Sequence, residues 1–296
     1  MRAQLKASSP DKLFIIGVFD KYFNLLPLIL FKKRKSILST RGMLHPNGLA
    51  QKPLKKRLFL DLLKFLQVPA KCSFHATNKE EEQNIKDALG TKVRKVFVAS
   101  NFPGKIVQQP MPQKIRDSLI LSSIALISPM KNHLLVLEAL KQMQQHIFYH
   151  IYGPVKNESY WKECQKVIDL LPDNIKVSYH GELPPAGVPV ALRNCHVFIL
   201  PSESENFGHS LVEALSAGRP VITSHNVPWT MLQQHSAGIN VDPHHSNELH
   251  DAIAFFASLD LKEIAAWGDG AYNYGRGVLD VEGIANSYAE MFSATR

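Results

Sequence analysis

Short runs of apolar, β-branched residues alternate with longer amphipathic stretches along almost the whole chain of 296 residues. Runs that are apolar on both faces, such as Val-Phe-Ile-Leu at 197–200, suit strands buried between two layers of helices. We predict strands at 13–18, 36–39, 72–76, 93–99, 120–127, 148–152, 176–179, 197–200, 221–223 and 238–241. Helices are predicted at 134–143, 160–171, 211–217, 247–257 and 284–292. The alternation predicts an α/β fold with parallel sheets and crossover helices.

A stretch with several prolines and a glycine, 102–114, divides this pattern into two parts. Four predicted strands precede it, and six strand–helix steps follow it, which is enough for a complete doubly wound domain. We therefore expect two Rossmann-like domains, at 1–110 and 111–296, of which the amino-terminal one is incomplete. The last predicted helix is expected to pack back against the amino-terminal domain.

Basic residues are concentrated in the first third of a chain whose net charge is +8. They include Lys32, Lys33, Arg34, Lys35, Lys52, Lys55, Lys56 and Arg57. A basic face attracts nucleic acid, anionic lipid or phosphorylated substrates, and a solvated basic surface is an equally good interpretation. No aromatic platform or nucleic-acid motif accompanies the charge, so a nucleic-acid partner is not expected. The three scattered cysteines indicate reduced thiols in a cytoplasmic protein.

A polar segment follows the buried strand at 197–200 and leads into a helix that begins near Gly208 and ends at Gly218. Ligands of open α/β sheets bind beyond the carboxyl ends of the strands, where this segment lies. Glu205 and Glu213 are acceptor-only groups that suit paired hydroxyls, and the N–H groups of a first helical turn suit anions. Two glutamates at this spacing are also compatible with plain surface charges.

The whole segment 201–222 resembles the signature of retaining glycosyltransferases of family four, which have the GT-B fold. The matching pattern is Pro-Ser-x-x-Glu-x-Phe-Gly followed by Glu-Ala-Leu-x-x-Gly-x-Pro-Val-Ile. The resemblance implies that Glu205 binds hydroxyls of a donor sugar and that Glu213 accepts hydrogen bonds from the ribose of a nucleotide. It also implies backbone contacts from Asn206, Phe207 and Gly208 to the sugar, and from His209 and Ser210 to the diphosphate.

Further matches extend the resemblance to the preceding strand ends. The turn at 127–133 resembles a turn of the family in which an arginine, and a lysine five residues later, hold the donor diphosphate. Lys131 matches the lysine. The arginine position is occupied by Leu126, so the sequence departs from the pattern there. Gly153 resembles a glycine that lets the backbone approach the ligand. Main-chain groups at Glu182 and Leu183 resemble those that frame the nucleotide base, although structural turns explain these positions almost as well.

The resemblance implies transfer of a hexosyl unit from a nucleoside diphosphate sugar to a hydroxyl, with retention of configuration. Glu205 and Lys131 are the expected catalytic residues, with the leaving phosphate as base. Lys131 and helix amides near Ser210 would stabilise the leaving diphosphate. The chain contains neither a Cys-x2-Cys nor an Asp-x-Asp element, so we expect no metal and no cofactor beyond the donor substrate.

Two other functions remain open at this point. The Leu126 departure and the incomplete amino-terminal domain favour a catalytically weak or inactive donor-binding protein, and a GT-B nucleotide-sugar epimerase would use the same nucleotide pocket. For a transferase, the resemblance implies a carbohydrate or lipid-linked acceptor and a role in polysaccharide or lipopolysaccharide biosynthesis. It further implies a cytoplasmic location with peripheral membrane contact.

Overall fold

The computed structural model describes residues 7–8, 10–31, 35–50, 52–102, 107–278 and 280–295, with the backbone only at position 47. The basic residues at 32–34 and part of the predicted linker, 103–106, lie outside the described residues. The chain forms two compact units, Met1–Phe102 with Asp280–Arg296 (unit 1) and Pro103–Leu279 (unit 2). The division falls inside the predicted linker. The last helix was predicted as part of the second domain, 111–296, but in the structure it belongs to unit 1.

Unit 1 is built on a four-stranded parallel sheet in the order β1-β2-β3-β4. Its strands are β1 (Leu13–Ile16), β2 (Ser36–Ser39), β3 (Ser73–Ala76) and β4 (Lys95–Val98). Its helices are α1 (Leu26–Leu30), α2 (Pro46–Ala50), α3 (Pro53–Phe65), α4 (Val68–Lys71), α5 (Lys79–Leu89) and α12 (Val281–Ala294). Helix α12 packs through Met291 against Ile37 and Phe97, so the expected return of the last helix to this unit is observed.

Unit 2 contains a six-stranded parallel sheet in the order β10-β9-β8-β5-β6-β7. Its strands are β5 (Ser118–Ile124), β6 (His146–Tyr152), β7 (Ile175–Tyr179), β8 (Val197–Leu200), β9 (Val221–Ser224) and β10 (Gly238–Val241). Successive side chains of β8 enter opposite cores: Ile199 packs in one cluster and Phe198 in the other. The strand order reverses between β5 and β8, and this is the place where doubly wound folds bind ligands.

All predicted strands of the two sheets are confirmed, and the predicted helices are found with ends that differ by at most three residues. The helices of unit 2 are α6 (His133–Leu140), α7 (Glu158–Ile168), α8 (Val188–Arg193), α9 (His209–Ser216), α10 (Ser246–Ser258) and α11 (Leu261–Val278). Helix α9 ends in the expected glycine cap. Gly218 has φ +71°, and N–H groups of Gly218 and Arg219 donate to Leu215 and Ala214, which is the Schellman pattern.

Helix α11, like α3 and α5, is not among the helices predicted above, and in α11 four glycines within 18 residues lower the helix propensity. The structure gives two of these glycines a packing role. A Cβ at Gly268 would lie 2.8 Å from the carbonyl oxygen of Gly218, and a Cβ at Gly270 would lie 2.4 Å from that of Ser236. The absence of side chains therefore lets α11 approach the backbone of neighbouring segments closely, and tertiary packing outweighs propensity.

Candidate functional site

Lys131 and Glu205 meet at the carboxyl edge of the second sheet, where the strand order reverses. Lys131 lies on the turn Pro129–Lys131 that follows β5, and Glu205 lies on the loop that follows β8. The Lys131 ammonium donates to Glu205 Oε1, and the two side chains are only 20% and 11% exposed. The two predicted catalytic residues, 74 positions apart in sequence, thus form one ion pair.

The loop that carries Glu205 is fixed by hydrogen bonds to its neighbours. Ser202 Oγ donates to Glu205 Oε1 at 2.8 Å, and Ser224 Oγ donates to the carbonyl of Ser202 at 2.5 Å. The amide of Glu205 donates to the carbonyl of Asn226 at 3.4 Å. Ser202 is therefore a site residue that the sequence reasoning did not identify as one, although it belongs to the Pro-Ser element of the pattern.

A second set of contacts joins the same loop to the turn after β5. The amide of Glu203 donates to the carbonyl of Met130 at 2.9 Å. The side-chain amide of Asn132 donates to Glu203 Oε1 at 3.3 Å and to the carbonyl of Pro243 at 2.8 Å. Three loops at the carboxyl edge of the sheet are held together in this way, so the Lys131–Glu205 pair sits on a connected backbone.

The start of helix α9 depends on a glycine and a tryptophan. Gly208 precedes the helix with φ +73°, and a Cβ there would lie 3.0 Å from Leu211 Cδ1. Trp229 Nε1 donates to the carbonyl of Phe207 at 2.6 Å, which fixes the loop just before the helix. Nothing in the sequence pattern signals this role of Trp229, because the partner is a main-chain oxygen.

The remaining predicted residues of this segment lie in the order that the resemblance implies. Asn206 is in the loop, His209 and Ser210 are the first two residues of α9, and Glu213 is in its second turn. The first N–H groups of a helix have no acceptor within it, so this end of α9 is suited to an anion. Burial raises the pKa of the Glu213 carboxyl, which makes it a half-buried acceptor that gains from a hydrogen-bond donor.

Gly153 lies at the turn after β6 in a conformation that glycine alone adopts easily. Its φ is +136°, and a Cβ there would lie 1.8 Å from the carbonyl oxygen of Ala125. Its amide donates to the carbonyl of Gly181 at 2.7 Å, which joins the turn to the loop after β7. Glu182 and Leu183 follow on that loop, and β5 and β6 separate it from β8 in the sheet.

The position at which the resemblance places an arginine is on the surface. The Leu126 side chain, just beyond β5, is 45% exposed, so leucine here does not fill the core. Nearby, burial lowers the pKa of His133 to about 4, and the charge of Lys131 adds to this effect. The His133 imidazole is therefore neutral at pH 7, and Lys131 supplies the positive charge of this turn.

Within the part of the chain that the structure describes, no group of three or more histidine, cysteine, aspartate or glutamate residues is placed to hold a metal ion. The three cysteines are buried and form no disulfide. The candidate site described above contains the Lys131–Glu205 ion pair, the amides at the start of α9 and the half-buried Glu213 carboxylate.

Comparisons with known proteins identify the family of the chain. The family model of glycosyl transferases group 1 matches residues 108–274, which is more than half of the chain. Sucrose synthase 2 of Oryza sativa subsp. japonica is 31% identical over 72 residues, which are 24% of this chain and 9% of that protein. The chain thus spans about a tenth of that curated relative.

Solved structures resemble the chain over almost its full length. Sucrose-phosphate synthase from Thermosynechococcus elongatus superposes with a TM-score of 0.75 at 16% identity, covering 99% of this chain and 75% of that one. Anabaena HepE, solved in complex with UDP and glucose, gives a TM-score of 0.73 at 19% identity, covering 99% and 81%. Two parallel α/β sheets of this kind are the GT-B fold. The chain belongs to the group 1 glycosyl transferases.

Proposed function

We propose that the chain transfers a hexosyl unit from a nucleoside diphosphate sugar to a hydroxyl of a carbohydrate or lipid-linked acceptor, with retention of configuration. The observation that carries this proposal is the Lys131–Glu205 ion pair at the strand-order reversal, directly before the helix that bears Glu213. HepE, which shares the fold, was solved with UDP and glucose, and this supports a nucleotide-sugar donor.

In this proposal, donor binding exchanges the partners of the ion pair. The diphosphate takes the Lys131 ammonium, and hydroxyls of the sugar donate to the Glu205 carboxylate. Amides at His209 and Ser210 face the phosphates, those at Asn206, Phe207 and Gly208 face the sugar, and Glu213 accepts from the ribose. The base is framed by Gly153, on the turn after β6, and by Glu182 and Leu183, on the loop after β7.

The chemical step requires stabilisation of a departing diphosphate while positive charge develops on the sugar ring. Lys131 and the start of α9 supply that stabilisation from fixed positions, so little reorganisation accompanies the reaction. The bond from the anomeric carbon to the phosphate oxygen breaks, and the acceptor oxygen bonds to the same face of that carbon. The acceptor proton passes to the leaving phosphate, and the proposal includes no metal and no further cofactor.

A donor-binding protein without turnover is the second candidate. The exposed Leu126 favours it, because the family resemblance implies a phosphate-binding arginine at this position and leucine supplies no cation. The transferase proposal includes a role in polysaccharide or lipopolysaccharide biosynthesis. It also includes a cytoplasmic location with peripheral membrane contact. No helix in the described part of the chain is long and apolar enough to cross a membrane.

Turnover of nucleotide sugars with and without acceptors distinguishes these functions. The full chain would be incubated in EDTA with UDP- and GDP-hexoses, with or without oligosaccharide acceptors, and products separated by mass. We expect nucleoside diphosphate release that requires an acceptor. Release without glycosylated product, or an epimerised sugar nucleotide, would contradict transfer, and loss of activity in EDTA that Mg²⁺ restores would contradict the metal-free mechanism.

A further inference from the structure

Asn240 lies in the edge strand β10 and joins two carbonyl groups of the segment that precedes this strand. Ile239 and Val241, its neighbours in sequence, pack in the core on one face of the sheet, so the Asn240 side chain points to the other face. Its side-chain amide donates to the carbonyl of Ser224 at 3.1 Å and to the carbonyl of Trp229 at 2.9 Å. One side chain thus holds both the end of β9 and the connection from β9 to β10.

The first residue that Asn240 holds supports the beginning of the donor loop, by which we mean residues 201–208 between β8 and α9. Ser224 Oγ donates to the carbonyl of Ser202 at 2.5 Å. Ser202 Oγ in turn donates to Glu205 Oε1 at 2.8 Å. Both serines are fully buried, so these hydrogen bonds are protected from water. A chain of hydrogen bonds therefore leads from Asn240 to the Glu205 carboxylate.

The second residue that Asn240 holds supports the end of the donor loop. Trp229 is 4% exposed, and its Nε1 donates to the carbonyl of Phe207 at 2.6 Å. The rings of Trp229 and Phe207 also meet edge to face, with 5.5 Å between their centroids. A Cβ at Gly208 would lie 3.4 Å from Trp229 Nε1, so the indole packs directly against the start of α9.

We propose that Asn240 is a positioning residue that fixes both ends of the donor loop through Ser224 and Trp229. Its contribution to sugar transfer rests on the proposed function, in which this loop carries Glu205 and leads into the amides that face the donor. Leucine and aspartate have a similar size, but neither can donate two hydrogen bonds to carbonyl groups. Stabilisation by fixed groups depends on their position, and a displacement of about 1 Å can slow a reaction about 100-fold.

Asn174 offers a matched control because it makes the same kind of contact at the opposite edge of the sheet. It directly precedes β7, at the amino ends of the strands, whereas the donor loop lies at their carboxyl ends. Its side-chain amide donates to the carbonyls of Met143 at 2.9 Å and Gln145 at 2.7 Å. Asn174→Leu and Asn240→Leu therefore remove equivalent pairs of hydrogen bonds, and only the second pair supports the donor loop.

Hydrogen exchange of the full chain, without ligand and read by mass spectrometry, measures the order of the donor loop. We expect amide exchange at 203–210 to rise about tenfold or more in Asn240→Leu, since two hydrogen bonds of ordinary strength are lost. The rate should stay at the wild-type value in Asn174→Leu. Trp229→Phe keeps an aromatic ring but removes the donor to Phe207, so it should also raise exchange in this segment.

Steady-state kinetics, with the donor and acceptor that the wild type uses, add the second readout. Asn240→Leu should lower kcat about tenfold or more with a smaller change in the donor KM. Asn174→Leu should keep the wild-type kcat, although thermal melts show a similar loss of stability for the two variants. Unequal effects of equivalent substitutions distinguish a positioning role from a structural one.

Unchanged exchange of the donor loop in Asn240→Leu, an equal rise in Asn174→Leu, or a wild-type kcat in Asn240→Leu would overturn the proposal. Where Asn240→Leu fails to fold, the exchange and kcat of Trp229→Phe decide the outcome. A wild type without any turnover would instead contradict the proposed function. The exchange comparison would then still decide whether Asn240 fixes the donor loop, so the two failures are distinguishable.

Discussion

Replacing Glu205 by glutamine is expected to slow sugar transfer about 100- to 1000-fold while leaving nucleoside diphosphate binding intact or tighter. Glutamine keeps the size of the side chain, but it removes the charge that the sugar hydroxyls would donate to. It also releases Lys131, whose ammonium is paired with Glu205 in the structure. Because a partly exposed ion pair contributes about 0.2–1 kcal/mol, UDP affinity should rise by up to about fivefold.

Glu203→Gln is the matched control for this prediction. Glu203 lies two residues earlier on the same loop, and its side chain is 34% exposed, accepts from Asn132 at 3.3 Å and lies 3.6 Å from His244 Nε2. We expect transfer within about twofold of the wild type for this variant. Steady-state kinetics and UDP titrations of both variants provide the readouts. A Glu205→Gln protein with wild-type transfer, or with UDP affinity that falls, would refute the partner exchange at Lys131.

Replacing Gly153 by alanine is expected to destabilise the chain by about 3–5 kcal/mol. The added Cβ would lie 1.8 Å from the carbonyl oxygen of Ala125, so the turn after β6 would have to move. The amide of Gly153 also donates to Gly181, and any movement would break this hydrogen bond between neighbouring loops. Denaturant unfolding of the full chain measures the loss.

Gly181→Ala separates steric clash from backbone strain. Gly181 also has a positive φ, +72°, but no atom lies within 4 Å of the position that a Cβ would take. Its replacement should therefore cost only the left-handed backbone strain, about 1–2 kcal/mol. Equal losses for the two variants would mean that the close approach to Ala125 contributes nothing.

The strands could be predicted from the sequence because runs such as 197–200 are apolar on both faces, a pattern that burial between helix layers requires. Helix α11 could not, because its glycines lower propensity locally, and two of them, Gly268 and Gly270, are explained only by distant backbone at Gly218 and Ser236. In α11, contacts with remote segments thus decide the residue type at these two positions, and local signals do not show such contacts.

The candidate site was predictable to a similar extent. Lys131 and Glu205 were each identified from a motif, whereas their direct contact follows from the reversal of strand order, which pairs β5 with β8. The hydrogen bond from Trp229 to Phe207 has no sequence signal, because its acceptor is a main-chain carbonyl.

Calorimetric titration of the full chain and its Glu213→Ala variant with UDP, GDP and ADP tests the donor site most directly. We expect one of these nucleotides to bind at a single site in EDTA, and the variant to bind it about 1.5–3 kcal/mol more weakly, since a charge-assisted hydrogen bond to ribose is lost. Wild-type affinity should also fall as the pH decreases through the raised pKa of Glu213, because the carboxylate is then protonated. Failure of all three nucleotides to bind a cooperatively melting protein, or unchanged affinity in a folded Glu213→Ala variant, would contradict the proposed nucleotide site.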